Sequence, residues 1–230
     1  MRDSANADPA VPRPVHAGEA AYSLPLLRVW YDVSVFGFNN PVVWKCPTRE
    51  LIEHYRAHVS GNHLEAGVGS GFLLDRCGFG TATPRLVVAD LNESCLTTTA
   101  RRLVRYRPQA LRCNLLEPIA HAGERFDSIG FNYVLHCLPG AIPEKAAAFD
   151  HLGELLHPGG VLFGATLLAD GVTRGWLARG LMRLFNGLGV FSNSNDTLRD
   201  LEAALTARFR DVEIRVAGCA ALFSARQVER

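Results

Sequence analysis

The stretch HLEAGVGSGFLLD at residues 63–75 places an acidic residue, Glu65, two positions ahead of three alternating glycines, Gly67, Gly69 and Gly71. Residues 62–66 read as a short buried strand ending at Ala66, the glycines as a turn without side chains, and 72–76 as the first turns of a helix. This is the phosphate-loop position of a doubly wound sheet. A nicotinamide fingerprint puts its third glycine three residues after the second, opening a helix N-terminus to a pyrophosphate; here that position holds Phe72. A carboxylate facing the cleft repels an anion. It suits a cationic sulfonium or ammonium, because a carboxylate at a strand end accepts hydrogen bonds from a protonated amine. A glycine turn serving chain reversal alone is the plainer alternative.

Outward from the loop, LVVAD at 86–90 reads as a β-branched strand closing on Asp90, whose two oxygens match the two hydroxyls of a ribose. Asp90 also stands just before an expected helix over 93–105, so it serves equally well as a helix cap. Three more strand candidates follow at 111–118 (LRCNLLEP), 126–140 (FDSIGFNYVLHCLPG) and 156–168 (LHPGGVLFGATLL), separated by helical or polar stretches. The alternation of strand and helix predicts an α/β chain. DVEIRVAG at 211–218 and AALFSAR at 220–226 form two further strands joined at Gly218. A nicotinamide fold more often continues its parallel winding.

The glycine loop, the acidic end of the second strand, Asn114 after the third, FD opening the fourth and HPGG turning into the fifth together resemble a class I methyltransferase over residues 22–226. The resemblance implies a Rossmann-like doubly wound sheet of about seven strands with a C-terminal antiparallel hairpin and a helical N-terminal lid. It implies S-adenosylmethionine as cofactor and S-adenosylhomocysteine as product. In that family Glu65, Ala66, Gly67, Gly69 and Gly71 would hold the methionine end. Asp90 would hold the ribose, Asn92 is a further candidate cofactor contact, and Asn114 would meet the adenine amine between Leu91 and Leu115. Asn114 departs from the aspartate more often found there, although an amide oxygen still accepts from an amine. Leu91 and Leu115 serve as readily as core leucines. The phrases NHLEAGVG, FNYVLHCLPG, LFGATLL and GVFSN look like a subgroup of bacterial and fungal methyltransferases of small or secondary metabolites.

Transfer from a sulfonium is an in-line displacement in which the protein aligns the acceptor and, where needed, takes its proton. His136 follows the fourth strand, where the family borders the transferred methyl, and an imidazole titrates near neutral pH, so it is the candidate base. Tyr133, a second candidate catalytic residue, and Asn132, also a candidate cofactor contact, are candidate polar orienting groups. A histidine there can also simply be satisfied by a neighbouring backbone group.

Acceptor choice is expected in parts added to the common core. Residues 21–60 are dense in aromatic and amide side chains, among them Tyr22, Trp30, Tyr31, Phe36, Phe38 and Trp44, and would form a lid, with Tyr31 as its best contact. Covering a sheet edge is the alternative. Residues 169–197 would wall the acceptor pocket with Phe185, Asn186, Phe191, Asn193 and Asn195, while Asp196 reads as a cap for a helix over 197–208.

With 230 residues and 48% hydrophobic content, residues 21–230 suffice for one domain with a full core. Twenty-four basic against 23 acidic residues, with no basic run, argue against nucleic-acid or anionic-membrane partners and leave a small-molecule substrate. Six scattered cysteines without a CxxC pair suggest neither a metal site nor disulfides, which fits a reducing cytoplasm. Residues 1–20 read as a disordered leader, and no apolar stretch has membrane-spanning length. The rivals are a noncatalytic S-adenosylmethionine-binding protein, the same fold reused for another reaction, and a nicotinamide oxidoreductase, which the Glu65 and Gly71 positions disfavour. Nothing in the sequence sets the oligomeric state.

Overall fold

In the computed structural model, which describes residues 32–121 and 123–228, the strands form where apolar runs can be covered on both faces. β1 (Asn62–Ala66) is buried from His63 onward, and β2 (Arg85–Asp90) from Leu86 to Ala89. β3 (Gln109–Arg112), β4 (Phe126–Asn132) and β5 (Leu156–Leu167) extend the same parallel sheet. β6 (Arg210–Ala217) and β7 (Ala220–Arg226) close it antiparallel, giving seven strands in the order β3-β2-β1-β4-β5-β7-β6. This is the doubly wound sheet with a C-terminal hairpin that the sequence predicts. Gly218 turns the hairpin at φ +57°, where a Cβ would collide with the Trp44 carbonyl.

Helices cover both faces. On one lie α1 (Thr48–His58), α2 (Phe72–Cys77) and α3 (Glu93–Arg102), packing Leu51, Tyr55, Leu74 and Leu96 against Val88, Phe163 and Ala165. On the other, α4 (Ile142–Lys145) and α5 (Ala147–Glu154) pack Phe149 and Leu152 against Leu64, Ile129 and Phe131. α6 (Trp176–Gly187) joins the first face through Ala178 and Met182, and α7 (Leu198–Thr206) the second through Leu201 and Leu205. A π-helical segment, Val33–Val43, precedes α1.

Several boundaries and one cap differ from the sequence reading. The fourth strand, read over 126–140, ends at Asn132 and gives way to a 3₁₀ turn, Leu135–Cys137. The third strand is Gln109–Arg112 rather than part of 111–118, because Asn114 ends it in a side-chain turn, its Oδ1 accepting from Leu116 N at 3.1 Å. The helix expected over 93–105 stops at Arg102 and gives way to a 3₁₀ turn, Val104–Tyr106. Asp196 does not cap α7. Thr197 does, its Oγ1 accepting from Asp200 N at 3.0 Å, while Asp196 is fully buried against Lys145 Nζ at 2.7 Å. Among the described residues no helix is long and apolar enough to cross a membrane. The six cysteines are free thiols. The leader, Tyr22, Trp30 and the lid contact Tyr31 lie outside the described residues.

Candidate functional site

The glycine turn is left-handed at all three positions, with φ +73° at Gly67, +53° at Gly69 and +70° at Gly71. Gly67 and Gly71 also lack room for a side chain: a Cβ would overlap Val134 at the first and come within 2.9 Å of Thr99 at the second. Backbone and neighbours therefore both demand glycine, and the loop brings its main chain into an open cleft. Val35, Phe36, Tyr55, Glu65, Asn132, Tyr133 and residues 67–74 line that cleft.

Glu65 is 3% exposed, yet its carboxylate belongs to the cleft wall. Oε1 accepts from the Tyr55 hydroxyl at 2.5 Å and Oε2 faces His63 Nε2 at 3.2 Å. Asn132 lies beside Tyr55, but neither polar atom of its buried amide has a hydrogen-bond partner among protein groups. A buried carboxylate next to an amide with both donor and acceptor unmatched suits the ammonium and carboxylate of an amino-acid moiety.

At the end of β2, Asp90 Oδ1 accepts from Asn92 N at 2.9 Å and Oδ2 from Gly69 N at 3.3 Å. Desolvation raises its pKa from 3.8 to about 6, against the lowering effect of those backbone donors. The acid is thus tied to the glycine loop and keeps lone pairs for a ligand. The helix cap is Asn92, whose Oδ1 accepts from Ser94 N at 2.9 Å, so its side chain is already engaged in structure. Asn114 lies beyond the cleft lining, its Nδ2 donating to Glu117 Oε1 at 2.9 Å and its Oδ1 holding Leu116 N. Leu115 is 6% exposed in the core, and Leu91 is half-buried. Glu65, the glycines, Asn132 and Tyr133 share one cleft, with Asp90 joined to it through Gly69; Asn114 and Leu115 sit one strand further out.

His136 does not have the character of a titrating base. It is 3% exposed and outside the cleft lining, and burial lowers its pKa to about 3. The Leu167 backbone N–H points at Nδ1 at 3.3 Å, so that nitrogen must accept and the ring proton resides on Nε2. The ring packs edge-on against Phe191 and Tyr133, at centroid distances of 4.6 and 5.6 Å. Tyr133 sits at φ +57°, an unusual conformation for a side-chain-bearing residue, and its N–H is fixed to Ala165 O at 2.7 Å. Burial holds its phenol well above the ordinary value, so it keeps its proton.

The π-helical segment meets the glycine loop directly. Asp32, at its N-terminal end, accepts from Ser70 Oγ and from Arg102, each at 2.5 Å, and Phe36 stacks on Phe72 with centroids 4.3 Å apart. After α6, Phe191 packs on Phe185 at 5.0 Å and near Trp44 at 6.2 Å. Asn193 is fully buried, donating to Leu167 O at 2.9 Å and accepting from Asn186 Nδ2 at 2.8 Å; both amides therefore brace the fold.

A methyltransferase-domain family profile matches residues 64–162, the span from Leu64 in the first strand to Leu162 in the fifth. The chain is 37% identical over 218 residues to demethylluteothin O-methyltransferase of Streptomyces thioluteus, covering 95% of this chain and 94% of that one. The chain belongs to the S-adenosylmethionine-dependent methyltransferases. This methyltransferase is also 36% identical to the physcion biosynthesis cluster O-methyltransferase of Aspergillus chevalieri, over 92% of its own length and 96% of the relative's. Its fold superimposes on the N-methyltransferase NodS of Bradyrhizobium japonicum WM9, solved with S-adenosylhomocysteine, at a TM-score of 0.65 and 20% identity, covering 95% and 100% of the two chains. The cofactor of this methyltransferase is S-adenosylmethionine.

Tyr55 and His63 touch Glu65, Ser70 touches Asp32 and Thr99 holds Gly69 O, and none of the four stands out in the sequence as a candidate for this methyltransferase's site. His63 carried a signal, since a residue two before Glu65 on a strand shares its face. Tyr55 carried none, because only the docking of α1 on the sheet brings it to Glu65.

Proposed function

We propose that this methyltransferase methylates an acidic hydroxyl, a phenol or enol, on a small secondary metabolite. Glu65 and the Asn132 amide would take the methionine end of the cofactor, with the glycine-loop backbone from Ala66 to Gly71 alongside. Asp90 would take the ribose hydroxyls, and Asn114 the adenine edge between Leu91 and Leu115. When bound, S-adenosylmethionine supplies a methyl group on an excellent leaving group.

The observation that carries the choice of acceptor is that the groups around the end of β4 are held as poor bases: burial lowers His136 to about 3, and the Tyr55 and Tyr133 phenols keep their protons. An acceptor that ionises by itself needs only alignment, whereas an alkyl alcohol needs a base. The O-methyltransferase names of the two relatives support the same reading. Tyr133 would orient the acceptor, and His136 would hold Tyr133 and Phe191 in place rather than take a proton. The Val33–Val43 segment, with Phe36 over Phe72 and Asp32 on Ser70, would close over the cofactor as a lid and exclude water. Phe185 and Phe191 would wall the acceptor side. Free thiols suit work in a reducing cytoplasm.

Incubation with S-adenosylmethionine and a panel of phenols, enols, alkyl alcohols and amines, read by mass spectrometry, tests this. Methylated phenols or enols are expected. Turnover confined to amines, or cofactor binding without any methylated product, overturns the proposal.

A pH dependence follows from Asp90. Above about pH 6 both oxygens accept; below it the carboxyl takes a proton and loses an acceptor for the ribose. Affinity for S-adenosylhomocysteine, measured by calorimetry, is expected to be level near neutral pH and to weaken by about tenfold one unit below pH 6. Asp90→Asn should bind more weakly throughout and lose the step. For folding of the free chain the sign is opposite. The raised pKa contributes stability below the unfolded value near 3.8, and that contribution is lost as pH rises through about 6.

A further inference from the structure

Behind the cleft, strand register sets up a chain of buried polar groups. His63 pairs with Ser128 and Glu65 with Gly130 across β1 and β4, so all four positions share one face of the sheet. His63 and Ser128 are both fully buried. Ser128 Oγ accepts from Ser60 N at 2.9 Å, lies 2.8 Å from Ser60 Oγ, and meets His63 Nδ1 at 2.8 Å. On its other side His63 presents Nε2 to Glu65 Oε2 at 3.2 Å. The imidazole is stacked on Phe163 at 5.8 Å and flanked by Phe79 at 6.0 Å, so it cannot swing away.

We propose that His63 is a positioning residue for the cofactor: its Nε2–H holds the Glu65 carboxylate toward the cleft, and Ser128 fixes the imidazole orientation that does so. One arrangement lets each donor serve the next. Ser60 N donates to Ser128 Oγ while the Ser60 hydroxyl donates to Asn62 O at 2.9 Å, Ser128 Oγ donates to His63 Nδ1, and His63 Nε2 donates to Glu65 Oε2, while Tyr55 donates to Oε1. Every hydrogen from Ser60 N onward along the chain then points at the carboxylate. Two donors occupy about half of the roughly four lone-pair sites of Glu65 and leave the rest for the cofactor's ammonium. This rests on the placement of the methionine end against Glu65 proposed above.

Calorimetric titration with S-adenosylhomocysteine of the wild type and of Glu65→Gln, His63→Gln, His63→Asn and Ser128→Ala tests it. Glutamine can reach Glu65 from the Nε2 position; asparagine reaches only as far as Ser128. His63→Asn is expected to weaken binding about 10- to 100-fold and His63→Gln to restore most of the loss. Thermal midpoints serve as the control, because a purely structural role moves both variants alike and leaves affinity unchanged once folded. Ser128→Ala should weaken binding in the wild type and add little in the His63→Asn background. Wild-type affinity in His63→Asn, equal affinity in the asparagine and glutamine variants, or additive Ser128 and His63 losses overturn the role of His63. Unchanged binding in Glu65→Gln instead overturns the placement of the methionine end.

Discussion

Gly130→Ala is expected to strip the protein of its cofactor while leaving its sheet folded. Gly130 is ordinary strand backbone without a positive φ, so alanine meets no conformational penalty. The added methyl would instead fall on Glu65 Oε2, and the carboxylate would have to leave the position shared with Tyr55 and His63. Losing a charged acceptor toward an ammonium and misdirecting its buried partners costs on the order of 3 kcal/mol, roughly 100-fold in affinity for S-adenosylhomocysteine. Combining it with Glu65→Ala should add little, because both changes remove the same group. Calorimetric binding alongside circular dichroism reads both parts. Full affinity in folded Gly130→Ala would show that the glycine serves packing alone.

Lys145→Met is expected to produce the largest loss of stability among changes outside the cleft. Lys145 is fully buried, its ammonium donating to Asp196 Oδ2 at 2.7 Å and Ser192 O at 2.6 Å. Burial pushes the lysine down and the aspartate up, and the pairing opposes both shifts. Methionine fills the volume and leaves the Asp196 charge without its counterion, which costs about 3–5 kcal/mol. For a chain of this length that lowers the thermal midpoint by on the order of 10 °C. Lys145→Met with Asp196→Leu should recover most of the loss, since a hydrophobic pair replaces the ionic one without desolvation. Urea unfolding of the two variants measures the difference; equal destabilisation would mean the charge pair contributes through packing only.

How much of this was legible in the sequence depended on whether the cause was local. The glycine loop, the acid at the end of β2, the fourth-strand FD and the Gly218 turn are read from spacing and backbone demand, and the structure has strands and turns at those places. The helix cap falls to Asn92 rather than to Asp90, which the sequence offered equally as a cap, because any polar residue near a helix start competes for the same N–H groups. Asp196 looked like a cap for the same reason, and only the fold reveals Lys145, 51 positions away in sequence, beside it. The surroundings of His136 are likewise non-local: its Nδ1 meets a backbone donor from β5, which no local pattern announces. The group around Glu65 was half visible. The alternation of His63 and Glu65 is a strand property, whereas Tyr55, Ser128 and the space left by Gly130 arise from register and helix docking.

The position of β7 between β5 and β6 has a kinetic consequence. Seven residues of β5, from Val161 to Leu167, pair with a strand made about 60 residues later, so that edge has no partner while the intervening chain is synthesised. Such a late, non-local closure slows folding and leaves apolar backbone able to recruit another chain. Nascent chains that stop short of residue 220 should therefore aggregate or remain with chaperones, whereas those carrying the final hairpin should be released and resist proteolysis.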